Sequence, residues 1–234
     1  YRFLIQNILR YEIHSGKNFV YNPDVLFNKN LNITDKWIIA YEQRLLKFFH
    51  QEMEHYRLYT VVSELLSFLD KLTNWYIRLN RARIKGDFGE EDWVNSLNVL
   101  FGTMLNLIIL LSPFIPFITE FIYQNLRNGL PDNSPLLEQS IHFLRIPEYN
   151  EKLLDDKIEL IMQNMISVIE LGRKLRENKK ILLKKPVAKL TIINYDKSFL
   201  ENLKVVENYI IDELNANEIE YIDEEPKYLK IGIK

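Results

Sequence analysis

Cysteine is absent from the 234 residues, which excludes a disulfide framework and thiolate-bound zinc or iron–sulfur clusters and fits a reducing compartment. Glycine and proline are scarce, at seven and eight residues, too few for a linker-like or low-complexity chain. A charge excess is missing as well: 30 Lys and Arg stand against 32 Asp and Glu, for a net charge of −2. That balance argues against holding nucleic acid by bulk electrostatics, so any such site has to be a local patch. No Gly-rich phosphate loop, H-E-x-x-H or G-x-S-x-G motif occurs. His50 and His55 lie five apart, which does not set them on one helix face for a shared metal; His14 and His142 stand alone. No metal site and no active site are expected. The apolar run from Leu105 to Phe121 is interrupted by Asn106, Pro113 and Pro116. A membrane span needs about 20 apolar residues, so two buried helices meeting at a proline corner account for it better.

What is present is the composition of a folded protein, 47% apolar and 26% charged. A chain of this length buries roughly 70% of its unfolded surface. It opens on Tyr1 in mid-helix register, with no signal or transit peptide, and is expected to be a piece of a longer protein. The spacing predicts an opening helix, a connector over 14–34, and a helix capped by Thr34 with its stripe at Ile38, Tyr41, Leu45, Phe48 and Phe49. One long helix over 56–85 follows, ended by Gly86-Asp87-Phe88-Gly89, then a helix over 90–112 opened by Glu90, Glu91 and Asp92. A division at 148/149 separates this bundle from a helix over 151–179. Gly172 on that helix's apolar face implies the close approach of another backbone. Beyond Pro186 the period changes to strand (187–194), helix (capped by Ser198 with Glu201), strand (218–222) and strand (228–233).

Two basic clusters carry chemistry. On a straight α-helix Asn74, Arg78, Arg81 and Lys85 share one stripe, bordered by Trp75. An aromatic face there could stack an unpaired base while guanidinium groups hold phosphates; a packed Trp75 beside a solvated face fits the same spacing. Arg83 instead continues the apolar stripe, which would bury it and oblige it to pair with a carboxylate. The second cluster is Arg173, Lys174, Arg176, Lys179, Lys180, Lys184, Lys185 and Lys189, against Glu177 alone. The acidic stretch 207–225 lies apart from it; this segregation within one small module fits a phosphate site, and it equally fits a solvated basic face at a helix end, where the dipole favours basic residues.

The stretch LTNWYIRLNRARIKG (72–86) resembles the L-T-N-W-Y-[IV]-R-x-N-R-R-R-[LI]-K-G segment of isoleucyl-tRNA synthetases of the eukaryotic cytosolic and archaeal type. So do YRFLIQN (1–7), NITDKWI (32–38), YRLYTVV (56–62), PFIPF (113–117) and SVIELGR (167–173). Six collinear matches run in order to about Ile211. The resemblance implies a mainly α fold: a class I anticodon-binding helical bundle (1–148), then a long helix and a small α/β module of β-α-β-β order (149–234). It implies a cytoplasmic parent enzyme that joins isoleucine to its tRNA with ATP and Mg on an upstream catalytic domain of the same chain. The family's H-I-G-H and K-M-S-K-S signatures are absent, so this stretch is expected to be non-catalytic and without a cofactor of its own. The tRNA site residues so implied are Trp75, Arg78, Arg81, Lys85, Arg173, Arg176, Lys180, Lys184 and Lys185, facing an isoleucine tRNA. The alternatives are a helical module docking other synthetases, or the same domain of a valyl, leucyl or methionyl enzyme. Three positions depart from the family pattern. Ala82 stands where a middle arginine is usual, and Leu182 and Lys185 replace a proline and an aromatic, which predicts a looser, more basic turn. The chain also stops before the family's further C-terminal region, so the tRNA site is expected to be incomplete.

Overall fold

Two α-helices among the described residues start on an Asx side chain that captures an amide two residues on. In the computed structural model, which describes residues 1–223, Asn32 accepts the Thr34 N–H at 2.9 Å and starts helix α2, Ile33–Glu54. The expected cap at Thr34 thus moves back to Asn32. Asp196, not Ser198, caps a later helix in the same way. The strand expected at 228–233 lies outside the described residues.

The described residues divide into two compact units, 1–155 and 156–223. The first contains α1 (Arg2–Ser15), α2, α3 (Leu58–Asp70), α4 (Ile77–Leu79), α5 (Arg81–Ile84), α6 (Glu90–Leu111) and α7 (Pro116–Leu126), with short 3-10 turns between. The segment 149–155 belongs to it: the Asn150 N–H donates to Gln43 Oε1 at 2.8 Å, and Lys47 lies over the Tyr149 ring. Helix α6 is apolar enough and long enough to cross a membrane by composition, and 78% of that window is buried inside the protein. Helices α1, α2, α5 and α7 all pack on it, so its apolar girdle is the bundle core. The expected corner follows at once, with Pro116 as the first residue of α7, where a missing N–H costs nothing.

The single long helix predicted over 56–85 is broken twice. A π turn over Lys71–Tyr76 joins α3 to α4, and Asn80 interrupts the helix before α5. At the end of this run Gly86 has φ 92°, and a Cβ there would lie 2.4 Å from the Trp93 ring. Both the left-handed backbone and the overlap act against a side chain. A Gly86→Ala change is expected to lower stability by about 2–4 kcal/mol, read as the shift of a urea midpoint; a loss under about 1 kcal/mol would show that the turn tolerates a side chain.

In the second unit α8 (Asp156–Asn178) is followed by β1 (Leu190–Ile193), α9 (Lys197–Val205), α10 (Glu207–Leu214) and β2 (Ile219–Ile222). The helix expected here is split at Val206, and its apolar face, Leu200, Leu203, Val206, Ile210 and Leu214, is buried. Strands β1 and β2 pair in parallel, Leu190 opposite Ile219 through Ile193 opposite Ile222, as a crossover through helices requires. Gly172 does sit at a close approach, but to the Leu214 side chain rather than to a backbone: an added Cβ would meet Leu214 Cδ1 at 2.5 Å.

Candidate nucleic-acid interface

The first basic cluster is built on a buried charge network. Arg83, 7% exposed, forks between two carboxylates. Its Nη2 donates to Asp35 Oδ2 at 2.7 Å and to Asp92 Oδ1 at 2.6 Å, and its Nε to Asp92 Oδ2 at 2.9 Å. The Tyr76 hydroxyl donates to Asp35 Oδ1 at 2.7 Å. Burial works against the Arg83 charge, but the hydrogen bonds from Asp92 and Asp35 outweigh it and hold the group above its ordinary range. Burial, and then the Asp35 charge, push the Tyr76 phenol well up. Arg83 is therefore a permanent cation, and the pairing expected from its place on the apolar stripe is found.

Asn80 completes this network and explains the helix break. Its amide donates to the Tyr76 carbonyl at 2.8 Å, and its Oδ1 accepts from Arg83 Nη1 at 2.6 Å and lies 2.8 Å from the Thr34 hydroxyl. A buried asparagine with these three partners ties α2, the π turn and α5 to one point. The sequence reading did not single out Asn80. The signal was available, because an Asn that bonds local backbone favours helix ends over helix interiors.

Around this fixed point Arg78 and Arg81 are exposed and Lys85 is half-buried. Trp75 is not a platform. It is 4% exposed and is buried together with Leu72 and Tyr76 on the π turn at 71–76. The expected base stacking on Trp75 is corrected on that ground. Asn74, expected on the same stripe, is exposed and donates to Asp70 at 2.6 Å.

The second cluster, in the second unit, also divides. Arg173 is paired with Glu213. Arg176, expected among the tRNA contacts, is 8% exposed and donates to backbone carbonyls of Leu182, Leu183, Lys185 and Leu214. It is inside the fold and unavailable to a ligand. Lys180, Lys184 and Lys185 are exposed, as are Lys174 and Lys179, which the spacing did not select. The turn at Leu182–Lys185 is not loose, as the lost proline and aromatic had suggested, because one guanidinium gathers three of its carbonyls. Among the described residues no group of three His, Asp or Glu side chains comes together as a metal cage.

Residues 35–192 match the family profile for the anticodon-binding domain of tRNA ligase. The chain is 50% identical over 221 residues to an isoleucine–tRNA ligase of Tetrahymena thermophila, covering 94% of this chain and 20% of that protein. It is 44% identical to the cytoplasmic isoleucine–tRNA ligase of Mus musculus, covering 97% of this chain and 18% of the relative. To the cytoplasmic isoleucine–tRNA ligase of Saccharomyces cerevisiae it is 41% identical, over 97% and 21%. The chain thus spans about a fifth of the length of the curated relatives it matches.

Proposed function

The chain belongs to the family of anticodon-binding domains of tRNA ligases, and on that premise we propose that it binds the anticodon arm of an isoleucine-accepting tRNA as the non-catalytic part of a larger isoleucine–tRNA ligase. The observation that carries this reading is the pair Arg78 and Arg81, exposed on either side of Asn80, whose side chain Arg83 holds in place. Guanidinium groups carried on a backbone held in one conformation bind phosphate or a base edge at less entropic cost than groups on a mobile segment. Lys85 and the lysines of the 180–185 turn add backbone contacts. In the whole enzyme ATP and Mg would serve the ligation, on parts of the polypeptide outside this chain. No step of that reaction is assigned to the residues described here. The enzyme would work in the cytoplasm, as its relatives' names state of them.

The test is tRNA affinity as a function of salt. Replacing Arg78 and Arg81 together with alanine is expected to weaken binding to an isoleucine-tRNA anticodon stem-loop and to flatten the log Kd against log salt slope by about one unit per lost phosphate contact. Both side chains are exposed, and circular dichroism of the double variant checks that the fold is kept. Unaltered affinity and slope in the double variant would sink the assignment of this site.

A further inference from the structure

The turn after α8 is organised from the inside by one side chain. The helix stops where Lys180 enters the left-handed region at φ 54°, and the Ile181 N–H bonds back to the Arg176 carbonyl at 2.8 Å. From there the chain wraps round the Arg176 guanidinium. Nη2 donates to the carbonyls of Leu182 at 2.6 Å, Leu183 at 3.3 Å and Lys185, and Nη1 to Leu214 at 3.2 Å. Asn215 Nδ2 adds a donor to the Leu183 carbonyl at 3.0 Å. Among the described residues Arg176 has no carboxylate partner; carbonyl dipoles alone balance its charge. A buried cation held this way is an unusual choice if the turn only had to close, since an apolar side chain closes a turn without the cost of burying charge.

The purpose is suggested by what the turn displays. Lys174, Lys179, Lys180, Lys184 and Lys185 are exposed, and none has an ion-pair partner among the described residues. Three acidic residues of the unit are engaged elsewhere, Glu213 with Arg173, Glu220 with Lys189 and Asp223 with Lys197, and Glu177 is the one acidic residue within 174–185. Five lysines in twelve residues repel one another, and a surface left in that state is relieved by a polyanion. Lysine is a hydrated point charge on a flexible stem, without the planar fork that reads a base edge. Such a group suits phosphates, which fix position and carry no sequence information.

We propose that Arg176 is a positioning residue: its buried guanidinium draws the 182–185 carbonyls inward and so holds Lys179, Lys180, Lys184 and Lys185 as a sequence-independent site for an RNA sugar–phosphate backbone. The proposal rests on the tRNA-binding reading above and adds that this turn reads phosphates only, and that Arg176 acts through the lysines without touching RNA.

The experiment uses the 234-residue chain, folded by circular dichroism at the working temperature, with isoleucine-accepting tRNA at a series of KCl concentrations. A K180Q/K184Q/K185Q variant is expected to flatten the salt slope by about two units, since each phosphate contact contributes about 0.7–0.9, and to do so equally for a tRNA with an unrelated anticodon. Arg176→Met keeps every lysine, yet it is expected to flatten the slope by at least one unit, with Arg176→Lys restoring part of the loss. A merely structural Arg176 would lower thermal stability and leave the slope of the folded protein unmoved, and that result overturns its positioning role; if Arg176→Met does not fold, the Arg176→Lys slope decides the same point. A parental slope in the triple-lysine variant, with the Arg78 and Arg81 effect intact, overturns the lysine site while leaving the tRNA reading standing. Unaltered tRNA binding with lost binding to polyglutamate makes the patch a protein-docking surface, which also overturns it. Absence of tRNA binding by the unmodified chain overturns both readings.

Discussion

Replacing Arg83 with methionine is expected to lower the stability of the first unit by about 3–5 kcal/mol, the range for removing one partner of a buried ion pair. The loss comes mainly from what is left behind. Asp35 has a fully buried side chain, and without Arg83 its charge would still accept from the Tyr76 hydroxyl at 2.7 Å but would lose its cationic partner. Asn80 Oδ1 would lose its 2.6 Å donor as well. Lysine at this position would not substitute, because one ammonium cannot serve Asp35 and Asp92 through two separate edges. The same reasoning gives a control. Adding Asp35→Asn to Arg83→Met removes the uncompensated carboxylate, and the double variant is expected to recover part of the loss. Unfolding in urea can be followed by fluorescence, since Trp37, Trp75 and Trp93 all lie in the first unit and none in the second. A loss below about 1 kcal/mol in the single variant, the range of an exposed pair, would show that the network is dispensable. The consequence for binding follows from position: Arg81 lies between Asn80 and Arg83, so loosening either is expected to weaken tRNA binding even in conditions where the protein stays folded.

What the sequence made readable here, and what it hid, separates along a physical line. Arg83 was readable because a charge on an apolar stripe has one outcome, burial with a carboxylate, although spacing could not say that the carboxylates would be Asp35, 48 residues away, and Asp92. The core helix α6 and the Pro116 corner were readable for the same reason: apolar periodicity and proline act locally. The burial of Trp75 was left open because the residue borders the basic stripe, where spacing fits a packed ring as well as a platform, while Arg78 and Arg81 kept the exposed face the stripe gave them. The helix starts were misplaced by two residues at both Thr34 and Ser198. In each case an Asx oxygen two positions upstream accepts the amide, and a hydroxyl that looked like the cap became the residue being capped. Arg176 was hidden more deeply. A run of basic residues looks uniformly solvated, and the carbonyls that bury this one, at 182–185 and 214, belong to a turn without periodicity.

The stability of the same unit is expected to fall as pH rises from about 4.5 to 7, and Glu42 is the cause. Its side chain lies in the bundle at 2% exposure, and its Oε1 has no hydrogen-bond partner. Burial pushes the carboxyl up to about 7, against a weaker opposite pull from a hydrogen bond with Asn106. The direction fixes the sign. With the folded value above the unfolded 4.5, the folded state binds the proton more tightly, so stability is fully present below pH 4.5 and is lost as pH rises through 7. At about 1.4 kcal/mol per pH unit, the loss on complete ionisation is on the order of 3 kcal/mol. Glu42→Gln cannot ionise, so the variant is expected to gain on the parent steadily from about pH 4.5 to 7 and to hold that lead above 7. Measuring the urea midpoint of both proteins at intervals from pH 5 to 8.5 isolates the effect. The Tyr1 amino group, which burial lowers from 8.0, titrates in both proteins and cancels. Glu90 and Glu120 are shifted downward, Glu90 by Lys17 and Glu120 by hydrogen bonds that outweigh its burial. Their contributions therefore change only in acid, below this window. Parallel profiles for the two proteins would mean that the Glu42 carboxylate finds compensation in the fold, whereas a divergence growing up to about pH 7 assigns the loss to that one buried group.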